Sequence, residues 1–247
     1  MENMHQMLSR AARAAELELQ LPLLEDRHGE LKEKAADLKN EMDWAKLTTK
    51  NLEEPTFFQR LLGRVAEKQE KAQEEAREAT AAYEQAKREY EELDHQVTTL
   101  RAESAQLAGS REEYDRARSA YLRTADAGGV QQLRELECDA FRPVAIEAVR
   151  EIRKALYASR GWMEKEQKSR YYIQESRRME FIQLADAYSQ TLQALLVYFP
   201  EGSLTLGASM TAPGDYIRSV STNLSQIDRL NIAIDQSLRV QEQLEAL

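Results

Sequence analysis

Between Leu62 and Leu107 the apolar positions recur at alternating steps of three and four: Leu62, Val65, Gln69, Ala72, Ala76, Ala79, Tyr83, Ala86, Tyr90, Leu93, Val97, Leu100, Ser104 and Leu107. Only Gln69 and Ser104 in that ladder are polar. A 3.5-residue period sustained this long predicts one helix whose stripe is covered by another helix. A second ladder lies upstream: Leu24, His28, Leu31, Ala35, Leu38, Met42, Ala45, Thr49 and Leu52. Glu53-Glu54-Pro55-Thr56 separates the two. Pro55 lacks a backbone donor and disfavours helix at the residue before it, so it is the natural break. Long helices joined by a short break are antiparallel neighbours.

The expected fold is therefore all-α. A long antiparallel coiled-coil hairpin occupies 1–109, with its turn near 53–56, and continues into an irregular helical bundle over 110–247. With the turn there, Ala45 comes level with Val65, and His28 faces about residue 81. Pro22 predicts a kink or interruption in the first arm. Gly109 is suited to close the second arm in a left-handed conformation, and Ser110-Arg111-Glu112-Glu113 reads as a capping box. A third helix with Tyr114, Ala117, Tyr121 and Leu122 then turns back along the hairpin and stops near Ala127-Gly128-Gly129.

Beyond Val130 the period stays helical but less regular. One helix is expected over about 130–159, with Pro143 a kink and Gly161 a break. A second is expected over about 162–198, ended by Pro200, and a last one from about Tyr216. That last helix shows Ile217, Val220, Leu224, Ile227, Ile234 and Leu238, with Asn231 at a seam step where a polar residue fixes register. The loop at 200–215 is the one long non-helical stretch expected, and loops of that length are functional or mobile.

Composition narrows the function. Charged residues make up 31% and aromatics 7%, with nine glycines and five prolines in 247 residues, the profile of long helices rather than of a mixed globule. The net charge of −9 argues against general nucleic-acid binding, which rests on neutralising phosphates. No apolar run approaches the roughly 20 residues that span a bilayer, and the N-terminus has no continuous apolar core of a signal peptide, so a cytoplasmic location is expected. Phosphate-binding loops, nucleophile elbows and zinc-binding helices are absent, and three histidines with one cysteine leave little for metal or nucleophilic chemistry. No catalytic residue, metal or cofactor is expected.

Four features stand out as candidate sites. Glu25-x-x-His28 and Glu92-x-x-His95 have the spacing of di-iron carboxylate bundles. The expected turn separates them by about 14 residues, roughly 21 Å, which argues against a shared metal. Cys138 sits among Glu135, Glu137 and Asp139, a setting that raises a thiol pKa and suits packing. The stretch 141–178 holds ten Lys/Arg against five Asp/Glu, interleaved with aromatics. Arg153, Lys154, Trp162, Lys168 and Arg170 are its candidate contacts with an anionic surface, against a bland reading as solvated helix. Phe57, Phe58, Leu61 and Leu62 crowd the hairpin tip and are the candidate partner-binding residues. Their bland reading is a local plug against Trp44, Leu47 and Leu52.

Long antiparallel hairpins with a helical C-terminal part resemble, in shape alone, membrane-remodelling proteins of the phage-shock and ESCRT-III type. That resemblance carries over no residue. The expected role is a non-catalytic scaffold or protein–protein interaction protein with a protein partner or self-association. The alternative is a peripheral membrane-associated assembly or remodelling protein.

Overall fold

The computed structural model describes residues 2–53, 65–168 and 175–247, and all of its regular structure among them is helical. In chain order these are α1 (Glu2–Glu53), α2 (Val65–Gln106), α3 (Ser110–Leu122), α4 (Ala127–Lys168), α5 (Glu175–Leu195), a 3-10 turn (Leu196–Tyr198), α6 (Ala208–Thr211), α7 (Pro213–Arg218) and α8 (Asn223–Glu245). The residues cluster into two compact units: Gln20–Gln106, and Met1–Leu19 together with Leu107–Leu247. The expected division at 109 had placed residues 1–19 with the hairpin.

Unit Gln20–Gln106 is the antiparallel hairpin. Thr49 donates its hydroxyl to the Ala72 carbonyl at 3.0 Å, and Gln69 donates its amide to the Leu52 carbonyl. The facing residue numbers total 121 in both pairs, and His28 with Asp94 continues the register to the far end. Ala45 is therefore level with Ala76, eleven residues beyond Val65, which corrects the pairing expected from a turn at Pro55. The residues between the arms, 54–64, lie outside the described set.

At that register every rung of the first ladder meets a rung of the second. Leu38 stands opposite Tyr83, Leu31 opposite Tyr90 and Leu24 opposite Val97, while alanine faces alanine at Ala35–Ala86 and Ala45–Ala76. Alanine facing alanine lets the backbones approach closely there, while the leucine–tyrosine rungs fill a wider gap. Every ladder residue with a described side chain is buried or half-buried. Among the other residues of 66–106, only Thr80 and Glu103 escape full exposure. The helix continues through Pro22 without interruption. An interior proline removes one hydrogen bond, which the rest of a 52-residue helix tolerates.

The second unit has a thicker core. Leu8, Ala11, Ala15, Leu17 and Leu19 of α1 are buried in it, a stripe hidden in the sequence by its alanines. Gly109 takes φ 77°, and its carbonyl accepts from the Glu113 amide at 3.0 Å. Ser110 is the first residue of α3 rather than its cap: its hydroxyl is buried and makes no capping bond. Arg111 pairs with Glu18 at 3.0 Å, so α3 lies beside the start of α1.

Gly128 and Gly129 begin α4 instead of ending α3. Asp126 accepts from the Gly129 amide at 2.7 Å, and a Cβ on Gly129 would stand 2.6 Å from the Tyr121 hydroxyl. α4 runs unbroken through Pro143 and Gly161 to Lys168, so the break expected at Gly161 does not occur. It packs against α5 and α8 through Phe141, Val149, Ile152, Leu156 and Met163. α5 begins at Glu175 and closes in the 3-10 turn, with Phe199 extended before Pro200 (φ −104°, ψ 156°).

The stretch 200–215 is pinned rather than long and free. It contains α6 and the start of α7; Gln243 accepts from the Thr205 amide, Gln236 donates to the Thr205 carbonyl, and Asp186 accepts from the Gly214 amide at 2.7 Å. α8 starts at Asn223, behind Thr222, whose hydroxyl caps the Ser225 amide at 3.2 Å. Its buried stripe is Leu230, Ala233, Ile234, Ser237, Val240 and Leu244. Of the ladder expected on this helix, Leu224 and Leu238 are exposed and Asn231 sits at the edge.

Candidate functional site

An enclosed polar cluster joins α3, α4 and the 3-10 turn. Glu137 on α4 is 1% exposed. It accepts from Arg118 Nε at 2.6 Å, from Arg118 Nη2 at 3.2 Å and from the Tyr114 hydroxyl at 2.5 Å. Arg118 also donates to the Val197 carbonyl at 2.9 Å and lies 5.7 Å from the Tyr198 ring centre. Tyr198 stacks on Phe141 at 3.9 Å and donates its hydroxyl to Asp115 at 2.7 Å. Burial, then the bond to Glu137, pushes the Tyr114 phenol far up. Burial and Asp115 push Tyr198 up to about 12. Both phenols are therefore neutral donors at ordinary pH, and the cluster ties the end of α5 to α3 and α4.

A pocket of about 280 Å³ opens beside it, with Leu196, Tyr198 and Phe199 in its wall and Arg134 and Glu201 among its polar lining. Glu137 and Arg118 satisfy each other at its edge. Sequence reading missed the whole cluster. Its signal was the pairing of Tyr114 with Arg118 four residues on, but the partners come from residues 137 and 197–198, which spacing alone does not connect.

The Glu-x-x-His pairs come level after all, because the true register sets His28 beside Asp94 at 2.9 Å. They still do not converge. His28 stacks on Tyr90 at 4.8 Å, Glu25 is taken by Arg101 at 2.6 Å, and the exposed His95 lies within 3.2 Å of the Thr99 hydroxyl. Among the described residues no group of three or more His, Cys, Asp or Glu is placed to hold a metal ion. Cys138 is buried, and burial pushes its thiol up, Arg142 opposing and Asp139 adding.

Phe57, Phe58, Leu61 and Leu62 lie outside the described residues. Two of the side chains expected to plug against them, Trp44 and Leu47, are 72% and 55% exposed, on the side of α1 away from the ladder. The anionic-surface candidates divide. Arg153 reaches Gln241 on α8 at 2.8 Å, Lys154 pairs back to Glu151, and Trp162 lies under Lys165 with the ammonium 5.1 Å from its ring centre. Nine residues apart on one helix, Arg153 and Trp162 point about 180° from each other. The Lys168 side chain and Arg170 lie outside the described set.

Fold and cluster together define an all-α helical protein built from a polar-surfaced hairpin and a bundle with an internal ion pair. No family model, curated protein or solved structure matches the chain. Among the described residues no helix is long and apolar enough to cross a membrane.

Proposed function

We propose that the chain is a non-catalytic helical scaffold that holds protein partners at a set spacing. The observation that carries this reading is the hairpin itself. Among the described residues most of its large apolar side chains lie on its own seam, Trp44 and Leu47 excepted, and most other side chains along α2 are polar and exposed. A structure of that kind offers length and surface rather than a chemical pocket. Supporting it, the buried Arg118–Glu137 pair of the bundle is internally satisfied. The charged groups along the hairpin are mostly exposed, as in the pairs Lys71–Glu75 and Lys87–Glu91.

The test is a matched one-heptad shortening. Deleting 35–41 together with 80–86 removes facing segments and rejoins both ladders in phase. The expected result is unchanged helicity and a partner lost from affinity isolation of the full chain. A shortened chain that keeps all its partners would remove the spacing role. Sedimentation of the intact chain with phosphatidylserine vesicles, and without a protein partner, would favour membrane assembly instead.

A further inference from the structure

Side chains two residues apart on a helix point about 160° from each other. Along α1 that spacing separates two ridges. Lys32, Lys39 and Lys46 recur every seven residues on one flank of the hairpin; Glu30, Asp37 and Trp44 recur every seven on the other, turned outward. All six are exposed, Trp44 by 72%. Among the described residues Glu30, Lys32, Asp37 and Lys39 have no hydrogen-bond or ion-pair partner. The Lys46 ammonium turns back to the Met42 sulfur at 3.2 Å, a weak acceptor.

The lysine flank also carries a groove of about 420 Å³, lined by Lys46 of α1 and by Ala76, Arg77, Thr80, Ala81 and Glu84 of α2. Alanines and the aliphatic stems of long side chains give it an apolar floor. Read along α1, one flank therefore runs lysine, lysine, groove, and the other acid, acid, tryptophan. Both series have the same pitch, about 10 Å, and lie only two residues out of step. A slip of one heptad toward the N-terminus sets Glu30 against Glu25. A slip the other way carries Trp44 past the groove. One register satisfies all three positions.

We propose that a second copy of this chain docks there, hairpins lying parallel and side by side, the Glu30–Asp37–Trp44 ridge of one copy along the lysine flank of the next. Glu30 then meets Lys32 of the next copy, Asp37 meets its Lys39, and the Trp44 ring enters its groove beside Lys46. The occupant is a second copy because both halves of the contact, in one order and at one pitch, are on this chain. Arg27 and Lys34 share the acidic flank nearer the seam; Arg27 comes level with Asp94 of the next copy and Lys34 with its Lys87–Glu91 pair. The two ridges occupy opposite flanks, so each copy gives one and receives on the other. A two-fold dimer does not satisfy such a contact, which builds open rows or rings. The inference rests on the reading of the chain as an interaction protein and names one partner of its hairpin.

The experiment is sedimentation velocity of the full chain over a concentration series. Assemblies larger than a dimer are expected, growing with concentration and weakened at about 0.5 M sodium chloride by screening. K32E/K39E and E30K/D37K shift the net charge in opposite directions. Each is expected to raise the concentration needed for assembly about tenfold or more, because two attractions become repulsions. Mixing the two variants restores assembly, since each then offers flanks opposite in sign to the other's. Trp44→Ser weakens it from an exposed position and leaves melting unchanged, so that loss does not come from misfolding. Copies with Asp37→Cys join copies with Lys39→Cys on mild oxidation, and neither joins to itself. A chain that stays monomeric with helicity intact, assembly indifferent to the charge reversals, or a mixture of the two variants that stays apart overturns the proposal. So does a dimer in which Asp37→Cys joins to itself, which puts one flank on a two-fold axis. Binding to phosphatidylserine vesicles that K32E/K39E abolishes, with no association between copies, overturns it by assigning the lysine flank to lipid. If copies stay apart while partner recovery still depends on hairpin length, the scaffold reading stands without this contact.

Discussion

The same kind of contact, arginine with glutamate, occurs in both units of this protein in opposite settings. In the hairpin, Arg101 meets Glu25 at 2.6 Å with side chains 61% and 40% exposed. In the bundle, Arg118 meets Glu137 at the same distance with side chains 17% and 1% exposed. Distance is identical, so the dielectric surroundings decide what each pair does. Water screens the first to a few tenths of a kilocalorie, whereas loss of one partner from the second strands a charge where it has no solvent. The hairpin is a line of burial with charge outside it. The bundle is a volume of burial with charge inside it.

The largest effect expected from that contrast is Arg118→Ala. Removing the guanidinium leaves Glu137 buried with only the Tyr114 hydroxyl and also frees the Val197 carbonyl. The cost is about 3–5 kcal/mol, read as a lower midpoint in urea unfolding. R118M/E137M, which replaces both charges by apolar side chains, is expected to recover most of it. A loss under about 1 kcal/mol for Arg118→Ala alone would mean that the bundle interior is wetter than its burial implies.

Next in size is the seam. Leu93 is 6% exposed and faces His28 across the hairpin. Leu93→Ala is expected to cost on the order of 2 kcal/mol, the lower end for buried leucine, since a two-helix seam relaxes more readily than a core. Glu91→Ala, two residues away and exposed, should stay within about 0.5 kcal/mol. Equal shifts in melting temperature for the two would show that burial along the ladder does not hold the hairpin together.

The hairpin was legible in sequence because a two-helix seam writes its period directly into the chain. Its register was legible only within a heptad, since any pairing that sets ladder on ladder satisfies the pattern. Pro55 was the wrong guide to that choice: facing residue numbers total 121, whereas a pairing of Ala45 with Val65 has them total 110. Polar rungs resolve it: Gln69 reaches Leu52, and Thr49 reaches Ala72. Cysteines at Ala45 and Ala76 should therefore join in one chain on mild oxidation, and cysteines at Ala45 and Val65 should not. The bundle hid more. Arg118, Glu137 and Tyr198 have no common period, and the buried stripe of α8 competes in sequence with a second apolar stripe of equal regularity. Where burial comes from several directions, one-dimensional periodicity does not say which stripe wins.

The smallest expected effect sharpens the comparison most. In a double-mutant cycle of Glu25→Gln and Arg101→Gln, the coupling energy should be about 0.5 kcal/mol or less at low salt and should vanish near 1 M sodium chloride, where the screening length shrinks to about 3 Å. The matching cycle of Glu137→Gln and Arg118→Gln should give at least about three times as much and keep most of it in salt, because counter-ions do not reach a carboxylate that is 1% exposed. Melting curves of the seven proteins, the wild type shared by both cycles, at two salt concentrations supply both numbers. Coupling of the same size and the same salt response at the two sites would place both pairs in one dielectric environment and dissolve the distinction between a line of burial and a volume of it.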